Sequence, residues 1–240
     1  MTLPSEPPLQ KLQFYVTTPY RCGYLDDKAA QSLIATPQYM VDAPTYDSLI
    51  NMGFRRSGKF VYRPHCESCN ACVPVRLPVN QVELSRSQRR AHRQHQNLSV
   101  SILPLEFTHE HFELYSAYQI ARHDGSEERE TEEQYRSFLI QSNVDSALVE
   151  FRLDGVLKIV SVVDFIRDGI SAVYTFYDAN EKTSSYGTFN IIWMTEWCKE
   201  LGLPYLYLGY WIGASKKMAY KKNFSPLEAL LDGKWQLLPP

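Results

Sequence analysis

Three cysteines within seven residues form the densest group of chemically reactive side chains in the sequence. Cys66, Cys69 and Cys72 are separated by two-residue gaps, which let neighbouring thiolates turn toward one metal ion or cluster. Cys22 could supply a distant fourth ligand. Tetrahedral zinc sites usually use two separated cysteine pairs, whereas here one cysteine would belong to both pairs. Two alternatives therefore stay open, a zinc or iron–sulfur site and a set of reduced, partly buried thiols.

A run of arginines and histidines occupies residues 86–95. Its arginines recur at offsets of three and four residues, which places them on one face of a helix. Such a face can follow the phosphate backbone of a nucleic acid, although a run of this kind is usually a solvated surface. The sequence favours neither alternative. The candidate RNA contacts in this run are Arg89, Arg90 and Arg93, with Arg86 on the same face.

Lysines and aromatic residues alternate in the tract from 205 to 224. Cations can hold phosphates while aromatic rings stack on bases, so the combination suits the single-stranded acceptor end of a tRNA. In a helix near residues 215–222, Lys217, Tyr220 and Lys221 would share one face. The alternative is that the rings belong to the core and the lysines keep the surface soluble. The candidate RNA contacts in this tract are Lys216, Lys217, Tyr220, Lys221 and Tyr210.

The sequence lacks the motifs of several common enzyme classes. It contains no G-x-x-x-x-G-K-[ST], no G-x-S-x-G and no H-E-x-x-H, so ATP hydrolysis, serine hydrolysis and zinc proteolysis have no support. An acyl-CoA transferase of similar element order usually has a glycine-rich loop that binds the pyrophosphate. The corresponding segment, EKTSSYGTFN, has one glycine, Gly187. These absences favour a transferase that contributes no nucleophile of its own.

The elements that must position these groups alternate between helices and strands. Hydrophobic periodicity predicts helices at residues 45–56, 85–96, 108–122 and 186–201, and strands at 59–63, 98–103 and 205–208. Asp154-Gly155 and Asp168-Gly169 join three further strands, at 147–153, 156–165 and 170–177, into an antiparallel meander. The sequence thus predicts an α+β fold, with a cysteine-containing N-terminal domain at 1–105 and a second domain at 106–240.

Composition limits the class of protein further. A chain of 240 residues that is 44% hydrophobic and 22% charged can bury a substantial core. The start has no basic segment followed by an apolar run, and no segment approaches the roughly 20 apolar residues of a spanning helix, so we expect a cytoplasmic protein with no membrane partner. The odd number of cysteines, 5, suits a reducing compartment. A net charge of -2 permits a local basic surface, but argues against a protein that coats nucleic acid indiscriminately, and we expect no DNA partner.

Several blocks, in the same order along nearly the whole chain, resemble the arginyl/leucyl-tRNA protein transferases and most closely their bacterial aspartate/glutamate leucyltransferase branch. The blocks are TPYRCGYL, FVYRPHCESCNACVPVRLPV, SRSQRR, YTFYDANEKTSSYGTFNIIW and YLGYWIGASKKMAYKKNFSPLEAL. The resemblance implies an N-terminal domain that holds the cysteines and a GNAT-like C-terminal domain, with a largely antiparallel sheet, that uses aminoacyl-tRNA in place of acyl-CoA. It also implies transfer of leucine to proteins with N-terminal Asp or Glu, which creates an N-degron. Leu25 replaces the second cysteine of a CxxC found in eukaryotic relatives, which puts an iron–sulfur cluster of that type in doubt.

The chemistry of such a transfer points to further candidate residues. An aminoacyl ester is already activated, and an acceptor α-amino group, with a pKa of about 7.7 to 8.0, can attack it with help from a modest base and no required cofactor. Asp178 or Tyr174 is the candidate for handling the amine, and backbone N–H groups of the central strand are candidates for stabilising the oxyanion. An arginine fork can bind a carboxylate through two parallel hydrogen bonds, so Arg76, and after it Arg21, is the candidate contact for an acidic acceptor residue.

Three other functions stay open at this level. The donor could be arginyl-tRNA, because no amino-acid pocket is visible in the sequence. The chain could instead be an acyl-CoA-dependent N-acyltransferase on the same fold. It could also be an RNA-binding module without catalytic activity, which would bind tRNA in a salt-dependent way and form no peptide product.

Overall fold

A computed structural model describes residues 11–122, 130–181 and 185–238. The first half contains β1 (Gln13–Val16), β2 (Tyr20–Arg21), β3 (Ala29–Ala30), β4 (Ser32–Thr36), α1 (Ala43–Asn51), β5 (Arg55–Ser57), β6 (Phe60–Pro64), β7 (Val73–Pro78), α2 (Arg86–Gln94), β8 (Ser99–Pro104) and α3 (His109–Arg122). The second half contains α4 (Glu132–Tyr135), β9 (Ser146–Leu153), β10 (Val156–Ile166), β11 (Gly169–Tyr177), α5 (Tyr186–Glu200), β12 (Tyr205–Trp211), β13 (Glu228–Leu231) and β14 (Lys234–Leu237). Short 3-10 helices lie at Gln38–Met40, Val79–Gln81 and Ala219–Asn223, and α4 continues as a π-helix at Arg136–Ile140.

The large sheet runs in the order β14-β13-β7-β12-β11-β10-β9-β8. Within the described residues, every neighbouring pair is antiparallel except β11 and β12, which are parallel. The predicted meander of β9, β10 and β11 is therefore confirmed. Asp154 and Gly155 both have positive φ, as the tight turn of a two-residue hairpin requires. The predicted α+β class with a largely antiparallel sheet is also confirmed.

Helices cover both faces of the large sheet. Successive side chains of a strand point to opposite faces, so Val149 and Phe151 of β9 pack with α5, whereas Leu148 packs with α3 and α4. A second, four-stranded sheet, in the order β1-β4-β6-β5, packs with α1 in a separate apolar cluster that reaches Ile166 and Tyr207 of the large sheet. The small sheet is thereby placed against the region where β10, β11 and β12 lie side by side.

Strands β11 and β12 part soon after they meet. They pair only at Gly169–Tyr205, Ile170–Leu206 and Ser171–Tyr207, and β12 then continues beside β7 as far as Trp211. We call the opening between the diverging ends of β11 and β12 the strand cleft. Three polar side chains support its floor: the buried Asn190 of α5 bonds Ser161 of β10 and Thr175 of β11, each at 3.0 Å. The cleft therefore lies above a fixed helix.

A buried ion pair ties the small sheet to the large one. Arg56 of β5 contacts Asp164 of β10 at 2.9 Å from Nε to Oδ2 and at 2.6 Å from Nη2 to Oδ1. Ser146 donates a further bond of 2.7 Å to the same carboxylate. Burial by itself lowers the pKa of the Arg56 guanidinium, but the charge of Asp164 outweighs it and the pKa rises. The guanidinium stays charged, and the pair closes the interface between the sheets.

Two sequence-based predictions of secondary structure are wrong. The helix expected at 45–56 ends at Asn51, because Gly53 adopts a φ of +87° and Arg55 begins a strand. The basic helix expected at 215–222 is a turn followed by the 3-10 helix Ala219–Asn223, so no helical face joins its lysines to Tyr220. The predicted helices at 85–96, 108–122 and 186–201 are confirmed as α2, α3 and α5.

The division at residue 105 stays a prediction. The large sheet takes strands from both sides of that position, since β7 and β8 precede it and β9 to β14 follow it. No helix within 11–122, 130–181 or 185–238 is both long and apolar enough to span a bilayer.

We expect Asp164→Asn to reduce the free energy of unfolding by about 3 to 5 kcal/mol, because it leaves the buried Arg56 charge without its counter-charge. Urea denaturation at neutral pH measures the change. Arg167→Gln is the matched control. The side chain of Arg167 is 81% exposed and its Nε lies as far as 4.0 Å from Asp47 Oδ2, so loss of this surface pair should cost less than about 1 kcal/mol. A loss in Asp164→Asn as small as in this control would contradict the role of the pair.

Candidate functional site

A β-bulge in β11 lies at the strand cleft. Val162 pairs with Tyr174 and Val163 with Ala172, so Val173 has no partner on β10. Such an extra residue disrupts the ladder locally and re-aims the backbone, and bulges are common beside active sites. The backbone at Val173 is therefore well placed to provide the oxyanion donors expected on the central strand, which stays a prediction.

Tyr174, the candidate for handling the amine, belongs to a polar chain that leads away from the bulge. Its hydroxyl donates to Gln119 Oε1 at 3.2 Å, and Gln119 Nε2 donates to Tyr115 at 2.9 Å and to Glu130 at 3.1 Å. Burial, followed by the charges of Glu130 and Tyr24, raises the pKa of Tyr174 to about 12. At neutral pH its hydroxyl is protonated and acts as a hydrogen-bond donor.

Asp178, the other candidate for that role, stands one residue beyond the end of β11. Lys158 Nζ lies 3.1 Å from its Oδ2, and the backbone N–H of Asn180 donates to its Oδ1 at 3.1 Å. Lys158 also contacts Glu181 at 2.6 Å. The carboxylate of Asp178 is thus already paired, and its role as a base stays a prediction.

Arg76 is the first candidate for binding an acidic acceptor, and its guanidinium contacts several side chains of the protein. Nε donates to Glu228 at 2.7 Å and Nη1 donates to Tyr207 at 3.0 Å. The guanidinium lies over the rings of Tyr205 and Trp235, with Cζ 3.5 and 4.4 Å from their centres. Arg21, the second candidate, is exposed on β2. Neither assignment is tested by this geometry, although the Arg76 fork holds a carboxylate of its own chain.

The four candidate metal ligands lie close enough to influence one another. Cys66 and Cys69 face each other across a β-bridge. Burial first, then the thiols of Cys22, Cys66 and Cys69, raises the pKa of Cys72 to about 11. Among the residues that the structure describes, no three His, Cys, Asp or Glu side chains are arranged to hold a metal ion. A zinc or iron–sulfur site at these thiols stays a prediction.

The arginine-rich helix α2 forms as predicted and presents its charges to solvent. Ser85 caps its N-terminus and forms a capping box with Gln88. At its C-terminal end, the buried His95 packs on α5, with its ring centre 4.6 Å from that of Tyr186. Gln88 Nε2 also donates to the carbonyl of Asn223 at 3.0 Å, which joins α2 to the lysine-rich tract. We call the exposed cations of these two adjoining segments the basic surface: Arg86, Arg89, Arg90, Arg93, Lys216, Lys217 and Lys222.

Two candidates from the lysine-rich tract are buried and not part of that surface. Tyr210 donates its hydroxyl to the carbonyl of Gly53 at 2.8 Å, and Lys221 donates its ammonium to the carbonyl of Tyr210 at 2.5 Å. Lys221 is 5% exposed, whereas Tyr220 is 43% exposed. The predicted clamp of Lys217, Tyr220 and Lys221 on one face is therefore wrong, because the 3-10 helix turns Lys221 inward.

The comparisons with known proteins agree over nearly the whole chain. A family model described as "Arginine-tRNA-protein transferase, N terminus" matches residues 20–90, and one described as "Arginine-tRNA-protein transferase, C terminus" matches residues 110–231. The chain belongs to this family. An aspartate/glutamate leucyltransferase of Methylobacillus flagellatus is 67% identical, with 98% of this chain and 96% of that protein covered. Another, of Thiobacillus denitrificans, is 51% identical, with 98% of each chain covered.

Similarity to solved structures is weaker. FemX matches with a TM-score of 0.43 and 8% identity, over 82% of this chain and 79% of that one. The structure of L-PGS from Bacillus licheniformis matches with a TM-score of 0.46 and 13% identity, over 59% and 47%.

The sequence-based predictions do not include Arg55, a buried arginine next to the candidate site. Arg55 is 6% exposed and lies beside Lys221, with Cζ 5.7 Å from the ring centres of both Tyr207 and Tyr210. The signal for it was the pair Arg55-Arg56 next to a strand. Adjacent residues of a strand point to opposite faces, so two neighbouring arginines on a covered strand require two separate explanations. The ion pair with Asp164 accounts for the burial of Arg56 but not for that of Arg55.

Proposed function

We propose that the chain transfers leucine from leucyl-tRNA to the α-amino group of proteins that begin with Asp or Glu, and that the product is an N-degron. The strongest support is the 67% identity to an aspartate/glutamate leucyltransferase over 98% of the chain. The expected compartment is the cytoplasm, and the expected partners are a charged tRNA and an acidic amino terminus. The geometry of the strand cleft supports the same proposal independently of any relative.

In this proposal the aminoacyl ester enters the strand cleft with its carbonyl oxygen toward the bulge at Val173. The neutral amine of the acceptor attacks the carbonyl carbon, a C–N bond forms, and the negative charge that develops on oxygen is stabilised by backbone N–H groups of β11. The intermediate then collapses, the C–O bond to the tRNA ribose breaks, and the proton lost by the amine balances the proton gained by the ribose oxygen. Because the ester is already activated, positioning of the two reactants supplies most of the rate.

The basic surface provides the RNA contacts that this chemistry needs. Cations neutralise phosphates and release counter-ions, which gives affinity that depends on salt and little on sequence. Tyr220 stands exposed in the same tract and can stack on a base. The surface joins the strand cleft through α5, since α2 packs along that helix at His92 and His95, both of which contact the ring of Phe189.

We expect the purified protein to consume leucyl-tRNA and to extend only peptides that begin with Asp or Glu. Leucyl-, arginyl- and phenylalanyl-tRNA and acetyl-CoA are each offered to peptides that begin with Asp, Glu, Arg or Lys, and the products are identified by mass. If only arginyl-tRNA is used, the proposed leucyl donor is wrong. If acetyl-CoA is used, the protein is an acyl-CoA-dependent N-acyltransferase and the proposed reaction is wrong. Tight tRNA binding without any product would favour a binding module instead.

We expect the double charge reversal Arg89→Glu and Arg93→Glu to weaken tRNA binding at least tenfold, because two exposed cations of the basic surface become anions. Filter binding at several salt concentrations checks this, and the slope of log affinity against log salt should fall by about one for each phosphate that the variant no longer neutralises. Arg167→Glu, on the exposed turn before β11, is the control for a change of charge alone. Equal affinities and slopes in the three proteins would contradict the assignment.

We expect Tyr174→Phe to slow transfer without changing the shape of the pH–rate profile between pH 6.5 and 9. The pKa of Tyr174 is raised to about 12, so the hydroxyl does not titrate in that range and cannot be the group that sets the profile. Initial rates of leucine transfer to an Asp-ended peptide provide the measurement. Loss of an inflection in Tyr174→Phe would instead assign the titrating base to this tyrosine.

A further inference from the structure

Two buried cations lie together beside the strand cleft with no counter-ion among the described residues. Arg55 and Lys221 are 6% and 5% exposed. No carboxylate of the described residues forms an ion pair with either of them. Burial, followed by the charge of Arg55, lowers the pKa of Lys221 to about 7, which shows how unfavourable the arrangement is without an anion. Buried charges in proteins are normally paired, and the described residues offer this cluster no anion, so an anionic ligand would stabilise it.

The unused atoms of Arg55 have the geometry of a carboxylate receptor. Nη1 donates to the carbonyl of Phe54 at 2.7 Å, whereas the buried Nε and Nη2 have no hydrogen-bond partner among the described residues. These two nitrogens lie on one edge of the guanidinium and can donate two parallel bonds to a carboxylate. Arg56 uses the same two atoms to hold Asp164. Arg55 therefore has the same pair of donors as Arg56, but no carboxylate of the described residues accepts from them.

The missing side chain of Gly209 leaves space for one carbon atom between the two cations. A β-carbon built on this residue would lie 3.9 Å from Arg55 Nε and 3.9 Å from Lys221 Nζ, with no other described atom outside residues 208–210 within 4 Å. Gly209 is partly exposed, whereas Nε and Nη2 of Arg55 have almost no solvent-accessible surface, so an entering carboxylate must displace neighbouring side chains to reach them. Gly209 lies two residues beyond Tyr207, where β12 leaves β11. The space thus adjoins the strand cleft.

We propose that Arg55, Lys221 and Gly209 form the subsite that binds the side-chain carboxylate of the acceptor's N-terminal residue. This inference rests on the proposed function, and it names the group that selects acidic acceptors. The acceptor's α-amino nitrogen is then held three bonds (Asp) or four bonds (Glu) from the carbon of an anchored carboxylate, beside the cleft where the ester lies.

The shape of the subsite favours a side chain over an RNA phosphate. A backbone phosphate has a ribose on each side and needs an open groove, whereas both cations here are more than nine-tenths buried and the opening is at one glycine. A carboxylate at the end of a short flexible stem fits such an opening. Arg76 differs from Arg55 in that its Nε already donates to Glu228 and its Nη1 to Tyr207.

Direct peptide binding tests the subsite without requiring turnover. Peptides that begin with Asp, Asn, Glu or Gln and are otherwise identical are titrated against the wild-type protein, Arg55→Gln and Lys221→Met, with thermal unfolding as a check of folding. We expect the wild type to prefer Asp over Asn by at least tenfold, and we expect Arg55→Gln to abolish this preference while Lys221→Met reduces it. Arg167→Gln is the control and should keep the preference. A preference that survives in Arg55→Gln would overturn the proposal.

A second pair of variants keeps the test decisive if Arg55→Gln does not fold. Asp and Asn both tolerate the φ of +74° at position 209, so Gly209→Asp and Gly209→Asn have the same size and backbone demands. We expect Gly209→Asp to place its own carboxylate between the cations and to weaken binding of Asp-ended peptides at least tenfold more than Gly209→Asn does. Equal weakening in both variants would contradict a site selected by charge.

Transfer assays and RNA binding separate the possible failures. If the wild type binds Asp-ended peptides selectively but forms no product from leucyl-tRNA, the proposed function is wrong and the subsite stands. If the wild type transfers leucine and Arg55→Gln retains the ratio of rates on Asp and Asn peptides, the subsite is wrong and the function stands. If Arg55→Gln weakens leucyl-tRNA binding and leaves peptide preference unchanged, the cations hold RNA and the inference fails.

Discussion

The ion pair between Arg56 and Asp164 sets the position of the short strand β5, and much of the rest of the site follows from it. The bidentate contact fixes the position of β5 against β10, which lies in the other sheet. Because consecutive residues of a strand face opposite sides, a fixed Arg56 determines where Arg55 must point. Arg55 consequently lies against Tyr207 and Tyr210 of β12. The Arg56–Asp164 contact on one side of β5 thereby orients Arg55, which has no counter-charge among the described residues, on the other side.

The strand cleft depends on a second constraint, the divergence of β11 and β12. A continuous sheet would pair the backbone groups on both edges of each strand. β12 keeps its ladder with β7, which has an irregularity between Tyr207 and Gly209, and β11 keeps its ladder with β10, which has the bulge at Val173, so only the edges that face the cleft lose their pairing. Asn190 holds α5 beneath the opening. The backbone groups left at the cleft are the ones available to a substrate.

The sequence was informative where the determinants are local. Asp-Gly at 154–155 predicts its hairpin because both residues must adopt positive φ. It failed for Lys221, since the tract around it has the composition of an exposed basic helix and only the contact with the Tyr210 carbonyl turns the side chain inward. It also could not pair Arg76 with Glu228, which lies 152 residues away. Such pairings depend on strand order, and strand order is not encoded in a local pattern.

The buried cations of this protein differ mainly in whether the chain supplies an anion. Arg56 has Asp164 and Arg76 has Glu228, and each of these pairs joins strands that must stay together. Arg55 and Lys221 have none among the described residues. An acidic side chain that enters beside Gly209 completes the missing pair, whereas the corresponding amide brings no charge and leaves donors unsatisfied in a buried place. Sites with buried polar groups reject ligands that cannot pair with them far more strongly than apolar pockets reject an extra methylene. Discrimination between Asp and Asn, which have the same shape, is therefore best achieved by cations that the fold leaves unpaired.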